Sequence, residues 1–132
     1  MASILKVDEM QGVTSAGDIT ITGEGGSATQ SLQQGLAKAW IKFDPADSNA
    51  VRDSLNFASI TDEGVGEHML VFSSSMTNAD YCVHVTGSTN RSGSVDTDTQ
   101  TTAQYSTETD EDANGNRADT NHTFSSVLGD LA

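Results

Sequence analysis

The chain has 132 residues, which suits a single domain, and nineteen Asp and Glu against six Lys and Arg give it a net charge of −13. Electrostatic repulsion opposes the binding of an acidic chain without a basic patch to nucleic acid or to an anionic membrane. Its one cysteine, Cys82, excludes an internal disulfide framework. The longest apolar run, Met69–Phe72, is far too short for a signal peptide or a membrane span. We therefore expect a soluble protein that is made in the cytoplasm.

The hydrophobic core is expected to be thin, because Phe, Ile, Leu and Val make up just under a fifth of the residues. These residues nevertheless cluster and alternate with polar ones, as they do in β-strands. Small β modules often oligomerise in order to bury enough apolar area. Part of the apolar surface is therefore expected to lie between subunits.

Residues 1–34 are predicted to form an N-terminal arm and linker. The arm contains two short stretches with strand character, Ile4–Val7 and Asp18–Thr22. The sequence GEGGSATQ at 23–30 has the composition of a flexible connector. Leu residues spaced four apart after this connector suit either a short helix or an extended entry into the next strand.

Residues 35–132 are predicted to form an all-β module. In Lys38–Phe43 (KAWIKF) the apolar residues alternate with two lysines and Trp40, so Trp40 is expected on a partly exposed face. The polar run Ser88–Thr101 is predicted to be a protruding loop. Phe124 is expected to point inward from the closing strand. Strands are predicted at 38–43, 51–60, 68–73, 81–86, 103–107 and 122–128. The fold class is a small antiparallel β-sandwich, of jelly-roll or immunoglobulin-like size, with an extended N-terminal arm.

The chain contains no motif typical of an enzyme. There is no nucleophile elbow, no phosphate-binding glycine loop and no pair of carboxylates in a recognisable cleft. The three histidines, His68, His84 and His122, fall on three different predicted strands without metal-ligand spacing. We predict a non-enzymatic protein without a cofactor.

One acidic loop partly matches a calcium-binding loop. Asp110, Asp112 and Asn114 follow the pattern D-x-D-x-N-G that places oxygen ligands around calcium. The position that should supply a bidentate Glu is Asn121, and the flanking segments are predicted strands rather than helices. The loop is therefore either a weak calcium site or an acidic hairpin that turns at Asn114-Gly115.

Several motifs occur in a fixed order along the module. They are KAWIKF at 38–43, VRDSLN at 51–56, SITDEGVG at 59–66, MLVF at 69–72 and ADY at 79–81. Together with the start MASILKVD and the end VLGDLA, they resemble a module of tail-fibre and related virion proteins of tailed phages that infect marine bacteria, including cyanobacteria. The resemblance implies a virion location and an N-terminal portion that attaches to the particle. It also implies assembly as a homotrimer.

The resulting hypothesis is a phage virion structural protein, either tail-fibre-like or an adaptor or decoration protein on the capsid or tail. Candidates for docking to other phage proteins are Ile4, Leu5 and Val7, and candidates for the subunit contact are Trp40, Leu36 and Phe43. An alternative hypothesis is a module that binds a host receptor or surface glycan through loops 87–101 and 109–121.

Overall fold

The N-terminal unit consists of a small hairpin and a preceding segment without regular structure. The computed structural model describes residues 4–13, 19–88, 91–110 and 116–132, and its contacts divide the chain into the units Met1–Leu36 and Ala37–Ala132. In the first unit, β1 (Thr20–Thr22) pairs antiparallel with β2 (Thr29–Ser31). The strand predicted at Ile4–Val7 is not found, since residues 4–13 have no regular structure. A turn follows β2, rather than the helix or extended segment considered from the sequence.

The second unit is an antiparallel β-sandwich, which confirms the predicted fold class. Its strands join into one sheet in the order β4-β3-β10-β7-β8-β9-β6-β5, and every pairing is antiparallel. The first four strands in this order form one half-sheet and the last four form the other. The strands are β3 (Ala39–Asp44), β4 (Ala50–Leu55), β5 (Phe57–Gly64), β6 (Glu67–Phe72), β7 (Cys82–Gly87), β8 (Ser92–Asp96), β9 (Gln104–Asp110) and β10 (Thr123–Leu128). A short 3-10 helix, Pro45–Asp47, connects β3 to β4.

The stretch at 51–60, predicted as one strand, is instead split at Asn56 into β4 and β5. These are the two edge strands of the sheet, so one residue carries the chain from one half-sheet to the other. Asn56 has a left-handed backbone with φ of 61°, which asparagine tolerates better than most residues. Its side chain accepts a hydrogen bond from the Ser74 amide at 2.7 Å and donates one to the Ser74 carbonyl at 3.0 Å. We call this arrangement the Asn56 corner.

The predicted loop at 88–101 is also partly a strand. β8 pairs with β9 over five positions, from Ser92 opposite Asp110 to Asp96 opposite Ser106. Its only large apolar side chain, Val95, packs against the core. The loop prediction was wrong because β8 is held mainly by backbone pairing, which leaves little apolar alternation in the sequence.

The core lies between the two half-sheets and is rich in aromatic rings. Phe57, Phe72, Tyr81 and Tyr105 form a cluster whose ring centroids lie 5.4–6.2 Å apart. Such edge-on and tilted pairs stabilise beyond the burial of their area. The fully packed residues are Ala39, Ile41, Phe43, Leu70, Phe72, Met76, Tyr81, Tyr105 and Val127.

Two tyrosine hydroxyls inside the sandwich are hydrogen-bonded. The hydroxyls of Tyr105 and Ser125 lie 2.8 Å apart, which links β9 to β10. The Tyr81 hydroxyl donates to carbonyl oxygens of Thr101 and Gln104, each at 2.9 Å, and burial raises the pKa of Tyr81 to about 12. These bonds offset the cost of burying hydroxyl groups among few aliphatic side chains.

His68 is buried in the core and meets the Phe43 ring edge-on, with centroids 5.4 Å apart. Its Nδ1 atom has no hydrogen-bond partner. Burial lowers the pKa of His68 below its ordinary 6.5, and it outweighs the opposing attraction of Asp119, Asp62, Glu63 and Glu67. The neutral imidazole is therefore the form that fits the folded core.

In the described residues, no helix is long and apolar enough to cross a bilayer.

We predict that Asn56→Gly lowers the free energy of unfolding and that Asn56→Ala lowers it further. Asn56→Gly keeps the left-handed backbone but loses the bonds to Ser74, which costs about 1–2 kcal/mol in the free energy of unfolding. Asn56→Ala loses the same bonds and adds a left-handed strain of about 1 kcal/mol. Urea unfolding measures both, with Ser48→Gly as the matched control at another left-handed residue, φ 53°. Equal stability of the Gly variant and the wild type would contradict the role of the corner.

We also predict that His68 makes the fold acid-sensitive. Because its pKa is lower when folded, its contribution is fully present above about pH 6.5 and is lost as the pH falls below that value, where the unfolded chain binds the proton first. In His68→Gln this part of the pH dependence should vanish. Urea unfolding between about pH 7.5 and pH 5 tests it, because that range brackets an ordinary histidine pKa. The exposed His84 supplies the control His84→Gln, and curves that stay parallel for wild type and His68→Gln would refute the prediction.

Candidate functional site

An open cleft of about 460 Å³ lies on the outer face of the half-sheet formed by β4, β3, β10 and β7. We call it the outer-face cleft. Its side chains come from all four strands of the half-sheet, so the sandwich fixes its shape. Its lining consists of Trp40, Ile41, Lys42, Asp53, His84, Thr86, Phe124, Ser125 and Ser126.

The strand register arranges these residues in two rows across the half-sheet. In one row Leu55, Trp40, Ser126 and His84 are successive neighbours. The next row is Asp53, Lys42, Phe124 and Thr86. Residues in register on one face lie within side-chain contact distance. The small Ser126 stands between the larger Trp40 and His84, which leaves the recess.

The cleft combines two aromatic rings with a cation. Trp40 is half-buried, whereas Phe124 remains 41% exposed. The Lys42 ammonium nitrogen lies 5.3 Å from the centroid of the Phe124 ring, a cation–π contact. The inward orientation predicted for Phe124 is wrong: Thr123, Ser125 and Val127 point into the core instead, and Ser125 is the partner of Tyr105.

Groups of both charge signs and several hydroxyls surround the rings. Asp53 supplies a carboxylate, one oxygen of which accepts the Ser54 amide at 2.9 Å. His84 and Thr86 are exposed on β7, on the opposite side of the cleft from Asp53. The face thus presents apolar ring surface next to hydrogen-bond donors and acceptors.

The predicted subunit-contact residues lie in three different environments. Trp40 lines the outer-face cleft. Phe43 is fully buried in the core against His68, so its ring is not available to a partner and we withdraw it as a contact candidate. Leu36 is 54% exposed in the turn at the end of the N-terminal unit.

The predicted docking residues are strongly exposed. The exposed fractions are 79% for Ile4, 80% for Leu5 and 52% for Val7. Further exposed apolar side chains of the same unit are Met10, Val13, Ile21 and Leu36.

The predicted calcium loop falls mostly outside the described residues, since Asp112 and Asn114 lie there. Asp110 ends β9, where it pairs with Ser92 and forms a bridge with Arg117. Beyond the gap, the Ala118 amide bonds to the Thr109 carbonyl at 3.0 Å. The described part of loop 109–121 therefore folds back onto the sheet.

This folded-back segment is also fixed to the β5–β6 turn. The Gly66 amide donates to an Asp119 carboxylate oxygen at 2.7 Å. Gly66 has φ of 70°, and a Cβ there would lie 2.6 Å from the Thr109 carbonyl oxygen, so only glycine fits. The alternative hypothesis placed a receptor site in this loop, but the described residues around it contribute mainly structural contacts.

Three carboxylates gather nearby around a single arginine. One oxygen each of Glu67, Asp96 and Glu108 lies within 4.8 Å of the others. The Arg117 guanidinium bonds to Glu67 through one nitrogen and to Glu108 through the other. The arginine thus directly compensates two of the three crowded carboxylates.

Comparison of the chain with models of protein families, with curated proteins and with solved structures found no match. The phage resemblance therefore rests on its sequence motifs alone and remains a prediction.

Sequence reasoning identified Trp40 as an unusual exposed aromatic but did not identify the cleft. Phe124 and His84 join Trp40 only through the pairing of β10 with β3 and β7, which are far apart in the chain. The alternation in Tyr81–Thr86 was the available signal, because it places His84 on the outer face. In β10 the prediction assigned the inward and outward positions one residue out of register, and such a shift moves every side chain to the opposite face.

We predict that Arg117→Gln lowers the free energy of unfolding by about 0.5–1 kcal/mol at low salt, the range of a partly exposed ion pair. The variant leaves three crowded carboxylates without compensation, so added salt should recover part of the loss by screening their repulsion. Urea unfolding at low and high NaCl measures this effect. Lys6→Gln, which removes the same charge from the exposed N-terminal segment, should change stability little. A loss that does not depend on salt would exclude charge compensation as the role of Arg117.

Proposed function

We propose that this chain is a non-enzymatic structural protein of a phage virion that docks to the particle through its N-terminal unit and presents the β-sandwich outward. Its place would be a tail fibre, or an adaptor or decoration position on the capsid or tail. The observation that carries the proposal is the distribution of apolar side chains between the two units.

The described part of the N-terminal unit has no hydrophobic core. Every member of the core cluster lies at or after Ala39, while Ile4, Leu5 and Val7 stand at least half exposed. A hairpin of two three-residue strands is marginal by itself in water. A segment with this composition gains stability by burying its apolar side chains against another surface.

The sandwich, by contrast, buries an aromatic core of its own between its half-sheets. An independently folded module attached to an exposed apolar segment is the organisation expected of an attachment protein. This agrees with the phage resemblance, in which the N-terminal portion attaches to the virion.

The proposal includes self-association as a homotrimer, which the phage resemblance implies. Leu36 and Trp40 remain contact candidates, because Leu36 is exposed at the point where the N-terminal unit ends and Trp40 is only half-buried. With a net charge of −13 on each copy, association must involve surfaces that keep carboxylates apart. Light scattering of the full chain should give about three times 13.8 kDa, and a stable monomer at all concentrations would contradict this part of the proposal.

The docking role is tested by replacing the three apolar side chains at the start of the chain. We expect the triple variant Ile4→Ser, Leu5→Ser, Val7→Ser to lose incorporation into particles, because burial of each side chain contributes about 1.5–3 kcal/mol. Particles assembled with wild-type or variant chain are purified, and the copies per particle are counted by quantitative immunoblot.

The matched control is Val65→Ser, which removes an apolar side chain that is also mostly exposed, at 63%, from the sandwich. It should be incorporated as the wild type is. Circular dichroism should show an unchanged β-sandwich in both variants. Normal incorporation of the triple variant would refute docking through this segment.

A further inference from the structure

The outer-face cleft has a chemical character that docking through the N-terminal unit does not use. We propose that it is a saccharide-binding site for a neutral hexose oligosaccharide, with Trp40 and Phe124 as the platform for the sugar rings. The outer-face cleft is a different site from loops 87–101 and 109–121, the glycan site of the alternative hypothesis. Those loops contain no aromatic residue, and the nearby Tyr105 is buried.

The first argument is the pairing of surface types. A pyranose ring has one largely apolar C–H face, and its edge carries hydroxyls that both donate and accept hydrogen bonds. Trp40 and Phe124 offer aromatic surface from neighbouring rows of the same half-sheet, and the Lys42 ammonium over the Phe124 ring adds a hydrogen-bond donor beside it. The Asp53 carboxylate and the hydroxyls of Thr86 and Ser126 lie within the same lining and can bond the sugar edge.

The second argument is size. The cleft volume of about 460 Å³ lies in the range of sites that hold small ligands, roughly 300–1,000 Å³. The recess exists because Ser126 is small while its neighbours across the strands, Trp40 and His84, are large. The cleft is open rather than enclosed, which suits one part of a longer chain lying across the sheet.

The third argument is charge, and it selects the occupant. The chain carries a net charge of −13, which repels an acidic polysaccharide. Within the cleft, Lys42 and Asp53 are register partners of opposite sign, so the site itself has no strong charge preference. A second copy related by a two-fold axis on this face would place one recess against the other and leave both unfilled. A neutral saccharide avoids both costs.

The test uses Trp40 as its own reporter, because it is the only tryptophan in the chain. The full-length protein is titrated with cellotriose, maltotriose and chitotriose up to about 10 mM, which saturates a site of millimolar Kd. Tryptophan fluorescence and the indole N–H signal in a two-dimensional NMR spectrum are recorded. We expect at least one trisaccharide to shift both signals with a saturable dependence.

Two variants assign the response to the cleft. Phe124→Ala removes half of the platform and should weaken binding about ten-fold, the effect of losing one aromatic contact. Ser126→Phe fills the recess and should abolish the response. Leu128→Ala is the matched control, since Leu128 is also exposed on the outer face of β10 but does not line the cleft.

Three results would overturn the proposal. One is the absence of a saturable shift with all three trisaccharides. Another is a response that Phe124→Ala and Ser126→Phe leave unchanged. The third is a Trp40 signal that changes with protein concentration alone, which would show that a second copy covers the cleft. None of these results bears on docking through Ile4, Leu5 and Val7, so the two proposals fail separately.

Discussion

Asn56 lets the chain pass from one edge of the eight-stranded sheet to the other within a single residue, and the rest of the sandwich depends on that turn. Its left-handed backbone reverses the chain, and its side chain bonds both backbone groups of Ser74. The bonds to Ser74 extend the pairing of β5 with β6, while β4 leads into the other half-sheet. Between the half-sheets Phe43 meets His68 and Tyr105 meets Ser125, and Trp40 lies on the outside.

Local alternation was enough to predict the β class and the face on which Trp40 lies. It failed where structure depends on distant partners. β8 is a strand because the backbone of β9 lies beside it, and a polar sequence gives little sign of that. Phe124 faces outward because the core needs Ser125 opposite Tyr105, and this requirement cannot be read from β10 alone. The outer-face cleft could not be predicted for the same reason, since the strand register brings its two rows of residues together.

The two units handle apolar surface in opposite ways. The sandwich buries aromatic rings and pairs its interior hydroxyls, so a modest apolar content suffices for a closed core. The N-terminal unit leaves Ile4, Leu5 and Val7 exposed to water. Such apolar surface favours aggregation, which the net charge of −13 opposes. This division supports an attachment segment joined to a module that presents a surface. The outer-face cleft is the part of that surface with the chemistry to bind a ligand.

A reconstruction of the intact particle at side-chain resolution tests the central claim most directly, because it locates both units in one measurement. The account predicts that Ile4, Leu5 and Val7 are buried against a neighbouring virion protein, while Trp40 and Phe124 face solvent at the particle surface. The opposite arrangement would contradict it: an N-terminal segment in solvent, with the outer-face cleft buried against the particle.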